Sequence, residues 1–230
     1  MNWIKYWNFL NRYNIYLLLL LLSACSTSEE TETKTLCILS INVCSNAACN
    51  RKEKKFIGLV IQEEASAPYK RSEFLNGTSW IDSDGDCQDT RAEILVSSSL
   101  LPTVKTSSGC KVVMGLWIDP YTDSIFEDAG DLDIDHIVPL KEAHESGAAN
   151  WDKVKRINFA NDYQKSKNLL PVWNSVNRSK GSRDPTEWLP PNHEYHCEYL
   201  DRWSKVKSYW NLSVDKEECQ TLRSIKSRCE

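Results

Sequence analysis

An aspartate and a histidine stand side by side near the middle of the chain, at Asp135 and His136, and asparagines follow at Asn168 and Asn177. A hard divalent cation prefers oxygen ligands, which the Asp135 carboxylate and the Asn177 side-chain carbonyl can supply. An imidazole whose pKa lies near neutrality can take a proton from water at physiological pH. An Asp-His pair alone is often a surface pair, but the later asparagines favour catalysis. Together these residues predict metal-assisted hydrolysis of a phosphodiester.

Basic residues follow Asn177 closely and are candidates for binding nucleic acid. Arg178, Lys180 and Arg183 can hold phosphate oxygens by charge-assisted hydrogen bonds, and phosphate contacts supply most non-specific affinity. The formal net charge is −4 at pH 7, so the protein as a whole does not attract nucleic acid. Any such site must therefore be a local basic patch. The alternative is that these side chains form only a solvated face.

The hydrophobic pattern around these residues predicts two strands and a helix. Over residues 131–137, apolar residues and a histidine alternate with aspartates, which is the period of a half-buried strand. Residues 168–172 fit a second short strand, and residues 174–180 fit a helix that the following glycine can stop. Strand, insertion, strand and helix in this order would bring the aspartate, the histidine and Asn177 to one edge.

These motifs resemble those of HNH endonucleases. The signature is carried by Asp-His-Ile-Val-Pro at residues 135–139, Asn-Leu-Leu-Pro-Val at 168–172 and Asn-Arg-Ser-Lys-Gly at 177–181. More narrowly, residues 69–215 are similar to secreted bacterial proteins related to the C-terminal nuclease domain of GmrSD-type restriction endonucleases. One further matching motif is Asp-Pro-Tyr-Thr at residues 119–122. The resemblance implies an α+β domain with a ββα-metal core, wrapped by helices and stabilised by disulfides.

The resemblance also implies a role for each site residue. His136 stands at the general base, and Asn168 at the catalytic-site asparagine that holds the loop bearing this base. Asp135 and Asn177 stand at the metal ligands. The implied cofactor is one divalent ion, Mg²⁺ first, with Mn²⁺ or Ca²⁺ as alternatives. The implied substrate is DNA, with RNA as an alternative, and the products would carry 5′-phosphate and 3′-hydroxyl ends.

The first residues resemble an export signal. Lys5 and Arg12 precede a short apolar run that ends in Leu-Ser-Ala-Cys at residues 22–25. The run is shorter than the roughly 20 apolar residues of a membrane span, and an uncleaved membrane anchor is the alternative. The ending resembles the bacterial lipobox, which implies cleavage before Cys25 and acylation of its thiol. We therefore expect an exported lipoprotein, anchored to a membrane of a bacterial cell envelope.

Replacing Cys25 by alanine tests this expectation. Because acylation of the thiol precedes cleavage in the lipoprotein pathway that the motif implies, Cys25→Ala should leave an unprocessed precursor. Mass spectrometry of the exported protein would show the uncleaved N-terminus. A variant that is cut at the same place and released normally would show that the protein is not a lipoprotein.

Composition and these resemblances together divide the chain into an expected signal peptide over residues 1–24, a tether and cysteine-containing prelude over 25–68, and an expected nuclease domain over 69–230. We expect the prelude to be disulfide-tied or partly disordered. Further elements are predicted in the nuclease domain: helices over residues 90–101, 140–146 and 150–161, a long aromatic helix capped by Asn192, a last helix from about Asp215, and a strand over residues 110–118.

Cysteine usage agrees with export. Once a lipidated Cys25 is set aside, an even number remains, which indicates disulfides in an exported chain: Cys37, Cys44, Cys49, Cys87, Cys110, Cys197, Cys219 and Cys229. Cys87 and Cys110 lie inside the region of resemblance, and we predict that they form a disulfide. Many HNH domains carry cysteine pairs for structural zinc, but the comparable positions here hold Trp173 and Val176. No structural zinc is therefore expected.

The alternative function is a non-catalytic surface lipoprotein that binds DNA or calcium on the same fold. The run Asp82-Asp84-Asp86, with Glu93 downstream, resembles the start of a calcium loop. An EF-hand requires glycine at the sixth loop position, where Cys87 stands, so a disulfide-anchored turn is the other interpretation. The histidine beside Asp135 favours catalysis, because binding alone requires no base. The sequence indicates DNA and a membrane as partners, and no obligate protein partner is evident.

Overall fold

The computed structural model describes residues 35–44, 52–77 and 80–229. The predicted signal peptide, the lipidation site Cys25 and most of the tether lie outside these residues. Within the described residues, no helix combines the length and the apolar character needed to cross a membrane. The fold is mixed, with short helices and three small antiparallel sheets.

The prelude forms a β-hairpin of β1 (Leu36–Cys44) and β2 (Lys52–Val60). Leu39 and Leu59 are buried in the main hydrophobic core, and a disulfide joins Cys37 to Cys219, 182 residues away. The hairpin therefore shares its hydrophobic core with residues of the predicted nuclease domain. The hairpin buries its apolar face against helices that the chain supplies only at its C-terminal end.

A helix and a three-stranded sheet follow. Helix α1 (Thr90–Ser98) begins at Asp89, whose side chain accepts the Ala92 N–H, and it ends three residues before the predicted end. The sheet has the order β3 (Val104–Lys105), β4 (Val112–Asp119), β5 (Ser124–Asp128). A disulfide joins Cys87 to Cys110 with a Cα–Cα distance of 5.1 Å, the pair expected from the resemblance. It ties the start of α1 to the sheet.

The central hairpin pairs β6 (Leu132–His136) with β7 (Leu169–Trp173) and leads directly into α4 (Asn174–Lys180). The insertion between the strands contains α2 (Leu140–Glu145) and α3 (Lys153–Ala160). Asp152, not Asn150, caps α3, because a 3-10 turn occupies Ala148–Asn150 and delays the start of the helix. The order strand, insertion, strand and helix agrees with the sequence pattern.

Two C-terminal helices complete the core. Asn192 caps a 3-10 turn that continues into α5 (His196–Trp210), and Asp215 caps α6 (Lys216–Lys226). A disulfide joins Cys197 to Cys229. The aromatic face of α5 is buried, as its spacing predicts: Tyr199, Trp203 and Val206 are fully inaccessible to solvent. Together these helices pack against the N-terminal hairpin of β1 and β2.

Candidate functional site

The central hairpin and α4 bring Asp135, His136 and Asn177 to the wall of one cavity of about 380 Å³. Asp135 and His136 are the last residues of β6 and pair with Leu170 and Leu169 of β7. Asn177 lies in the middle of α4, which begins where β7 ends. The structure therefore places these three predicted residues together.

His136 is buried and tightly oriented. Its ring is stacked nearly parallel to those of Trp80 and Phe159, at centroid distances of 5.6 and 6.4 Å, and its Nε2 lies 2.9 Å from the Ala160 carbonyl oxygen. A carbonyl oxygen can only accept, so Nε2 carries the proton and Nδ1 has a lone pair. Burial lowers the pKa of His136 to about 3, with the positive charges of Arg71 and Lys180 contributing. The imidazole is therefore neutral at physiological pH, but this pKa lies well below the near-neutral value that we expected of the base from the sequence.

Asp135 is buried and held by two donors. The Tyr121 hydroxyl donates to its Oδ2 over 2.6 Å, and the Lys180 ammonium donates to the same oxygen over 2.7 Å. Burial raises the pKa of Asp135, while the charge and hydrogen bond of Lys180 oppose that shift. The aspartate is thus half of a buried ion pair.

Lys180 corrects one sequence prediction. We expected it to contact phosphate, but its side chain is fully buried and its ammonium is paired with Asp135 and with the His136 carbonyl oxygen, 2.5 Å away. Val176, one helical turn earlier, is also buried, so Lys180 lies on the inner face of α4. It cannot reach a nucleic acid from this position.

The Asn177 side chain has a defined orientation. Its Nδ2 donates to Asp133 Oδ2 over 3.2 Å. An ionised carboxylate only accepts, so the amide nitrogen must face Asp133 and the amide oxygen must point away from it. Asn177 also lines the cavity, and an amide oxygen is the ligand type that a hard cation prefers.

Asn168 is fully buried beside the loop that follows His136. Its side-chain oxygen accepts the Val138 N–H over 3.0 Å, and its backbone oxygen accepts the Ile137 N–H over 2.7 Å. Its Nδ2 has no hydrogen-bond partner among the described residues. Asn168 therefore contacts the loop after the histidine and not the cavity itself.

Two predicted phosphate contacts lie on the outer side of the site. Arg178 is exposed on α4, and Arg183 is half-buried, with its Nε donating to the Lys180 carbonyl oxygen. Arg71 was missed by the sequence reasoning. It is exposed, lines the cavity with His136, and has no ion-pair partner among the described residues. No local motif marks it, because it lies far from the hairpin in sequence.

Tyr121 was also not predicted as part of the site. It is fully buried and lies in the turn between β4 and β5, where its backbone N–H donates to the Asp119 side chain. The only signal in the sequence was its place in the Asp-Pro-Tyr-Thr motif at residues 119–122. That motif supported the resemblance but gave no indication of a contact with Asp135.

The acidic loop near α1 lies apart from this cavity. The carboxylates of Asp82, Asp84 and Asp86 approach one another within 4.8 Å and are exposed. Asp82 accepts the N–H groups of Gly85 and Cys87, and the disulfide at Cys87 anchors the loop. These contacts form a disulfide-anchored turn whose three carboxylates also lie close enough together to hold a metal ion.

The chain is similar to a known protein family and to a secreted protein. The family model of the GmrSD restriction endonuclease C-terminal domain matches residues 89–225. A protein of Arthroderma benhamiae, described as an uncharacterized secreted protein, is 38% identical over 161 residues, which cover 70% of this chain and 76% of that protein. No solved structure matches. The matched region contains β6, β7 and α4, while Arg71 precedes it.

Proposed function

Because the chain belongs to the family of the C-terminal domain of GmrSD restriction endonucleases, we propose that it is a metal-dependent HNH endonuclease that hydrolyses DNA phosphodiesters. The observation that carries this proposal is the convergence of Asp135, His136 and Asn177 on one cavity. A carboxylate, a neutral imidazole and an amide oxygen are the groups that such a reaction requires. In this proposal β6, β7 and α4 are the ββα-metal core.

The residues fit a divalent metal ion. The described hydrogen bonds of the Asp135 carboxylate fall on Oδ2, so in this proposal Oδ1 binds the metal and the Asn177 carbonyl is the second ligand. Oxygen donors of this kind suit Mg²⁺, with Mn²⁺ or Ca²⁺ as alternatives. A bound ion would supply Lewis-acid stabilisation of the charge that develops on the leaving 3′-oxygen.

The protein's own groups then perform the proton chemistry. Nδ1 of His136 accepts a proton from the attacking water, since its other nitrogen is committed to the Ala160 carbonyl. The stacked rings of Trp80 and Phe159 hold the imidazole plane. Asn168 keeps the following loop in place through Val138, so we regard it as a positioning residue and not as a group that touches substrate.

Arg71 replaces Lys180 as the proposed phosphate contact within the cavity. It is exposed and lines the cavity, and its charge opposes protonation of His136. Lys141, which also lines the cavity, is engaged by Glu145. Arg178, on the outer face of α4, would then contact DNA phosphates further from the bond that is cleaved.

We expect Arg71→Ala to weaken DNA binding by about tenfold. The slope of the logarithm of the binding constant against the logarithm of the salt concentration should fall in magnitude by about one, since one phosphate contact is lost. Affinity is measured in the non-cleaving His136→Ala background. Lys70→Ala is the matched control, because Lys70 is an exposed neighbour that does not line the cavity. Equal losses of DNA affinity in the two variants would show that Arg71 makes no specific phosphate contact in the cavity.

Disulfides and a secreted relative indicate export. The finer proposal is that the mature protein is tethered to a membrane through Cys25, as the N-terminal motif suggests. A nuclease held outside the cytoplasm would meet nucleic acid from the surroundings of the cell. Processing of the Cys25→Ala precursor tests the anchor separately from the chemistry.

The experiment that tests the function is incubation of the purified, disulfide-bonded protein with supercoiled plasmid and with a labelled RNA in Mg²⁺. We expect nicked and then linear plasmid. Cleavage of RNA but not of plasmid would show that the substrate is RNA and not DNA. Cleavage of neither, with DNA still bound, would favour the non-catalytic alternative and overturn the proposed activity.

A further inference from the structure

The carboxylate of Asp135 is fixed by two side chains from different parts of the fold. Tyr121 reaches it from the turn between β4 and β5, and Lys180 reaches it from the last turn of α4. Both donors are fully buried, and both bonds end on Oδ2. Lys180 also donates to the His136 carbonyl oxygen, so it ties the two adjacent site residues together.

We propose that Tyr121, acting with Lys180, is a positioning residue that makes Asp135 a one-oxygen metal ligand. The inference rests on the proposed function, because it assigns the metal to the same site. A free carboxylate can rotate and can offer both oxygens to a cation. With Oδ2 engaged by a hydroxyl and an ammonium, Asp135 presents Oδ1 in a single orientation. Such supporting hydrogen bonds typically govern metal affinity by about 10- to 100-fold.

Tyr121 is itself held rigidly, which is what a positioning residue requires. Its backbone N–H donates to Asp119 Oδ1 over 3.0 Å, and its backbone oxygen accepts the Asn192 N–H over 2.9 Å. Its ring packs against Trp188 and Tyr199 at centroid distances of 5.3 and 5.7 Å. The phenol therefore cannot swing away from Asp135 without disturbing the aromatic core.

The same core provides a matched control. Tyr199 is also fully buried and contacts Tyr121, but its hydroxyl has no hydrogen-bond partner among the described residues. Tyr121→Phe and Tyr199→Phe each remove one buried hydroxyl and keep the ring. Any general effect of the substitution on packing should be similar in the two variants. Only Tyr121→Phe removes a bond to the proposed ligand.

The test is a titration with Mn²⁺ in the absence of DNA, for the wild type and both variants. Electron paramagnetic resonance measures the bound and free Mn²⁺. Only the component of Mn²⁺ binding that Asn177→Ala weakens is attributed to this site, which separates it from binding at the acidic loop at Asp82. We expect Tyr121→Phe to weaken this binding by about tenfold or more and Tyr199→Phe to leave it unchanged.

Equal affinities for Tyr121→Phe and wild type would overturn the inference, as would a wild type without Asn177-dependent Mn²⁺ binding. Cleavage assays on the same preparations separate the two claims. If the wild type cleaves DNA and Tyr121→Phe binds Mn²⁺ normally, only the positioning role fails. If Tyr121→Phe lowers Mn²⁺ affinity but the wild type cleaves no nucleic acid, the positioning role stands and the proposed activity fails.

Discussion

Replacing His136 by alanine should reduce plasmid cleavage by about 10²- to 10⁴-fold, which is the usual contribution of a general base. The substitution removes Nδ1, the nitrogen left free by the hydrogen bond between Nε2 and Ala160. The proposed metal ligands Asp135 and Asn177 are retained. DNA affinity should change little, because basic residues and not the imidazole supply phosphate contacts.

His144→Ala is the matched control for this loss. His144 is also a buried histidine, on α2, and its Nε2 lies 3.2 Å from the Ala67 carbonyl oxygen. It does not line the cavity, so its removal should not affect the rate per folded molecule. Both variants are checked for disulfides and circular dichroism before rates are compared. A His136→Ala protein that cleaves at the wild-type rate would place the base elsewhere.

Replacing Asn177 by alanine should instead change the metal requirement. Even a supporting residue outside the ligand set typically accounts for about 10- to 100-fold in metal affinity. Loss of a direct ligand should therefore raise the Mg²⁺ concentration for half-maximal cleavage by at least about tenfold. The measurement is a Mg²⁺ titration of the initial rate at saturating plasmid.

Asn174→Ala, at the start of the same helix, controls for a general effect on α4. Asn174 donates to the Gly130 carbonyl oxygen and does not line the cavity, so its titration curve should match the wild type. If the curves of Asn177→Ala and wild type superimpose, Asn177 is not a metal ligand.

The central hairpin was predictable because its signal is local. Alternation over residues 131–137 predicts a half-buried strand, and the structure has β6 over Leu132–His136, although Asp135 on the predicted outer face is buried as well. The helix after β7 has the predicted bounds, Asn174–Lys180. The placement of Asp135, His136 and Asn177 together follows from these elements alone.

The predicted contact of Lys180 with phosphate was wrong because the prediction considered its charge and not its position on the helix. We interpreted Lys180 as a candidate phosphate contact, yet it follows the buried Val176 by four residues. A lysine on the inner face of a helix requires a buried partner, and here that partner is Asp135. The spacing of four residues between Val176 and Lys180 therefore indicated that Lys180 lies on the buried face of α4.

Arg71, Tyr121 and the N-terminal hairpin were beyond local sequence reasoning. Each reaches its place through contacts between residues distant in the chain, such as the disulfide between Cys37 and Cys219. Hydrophobic periodicity identifies which face of an element is buried but not which other element covers it.

The most direct test of the account is cleavage of supercoiled plasmid by the wild-type protein after treatment with EDTA and again after Mg²⁺ is restored. The account predicts that chelation abolishes cleavage, that Mg²⁺ restores it, and that the ends carry 5′-phosphate and 3′-hydroxyl groups. Undiminished cleavage in EDTA would contradict it, because the assigned roles of Asp135 and Asn177 require a bound cation.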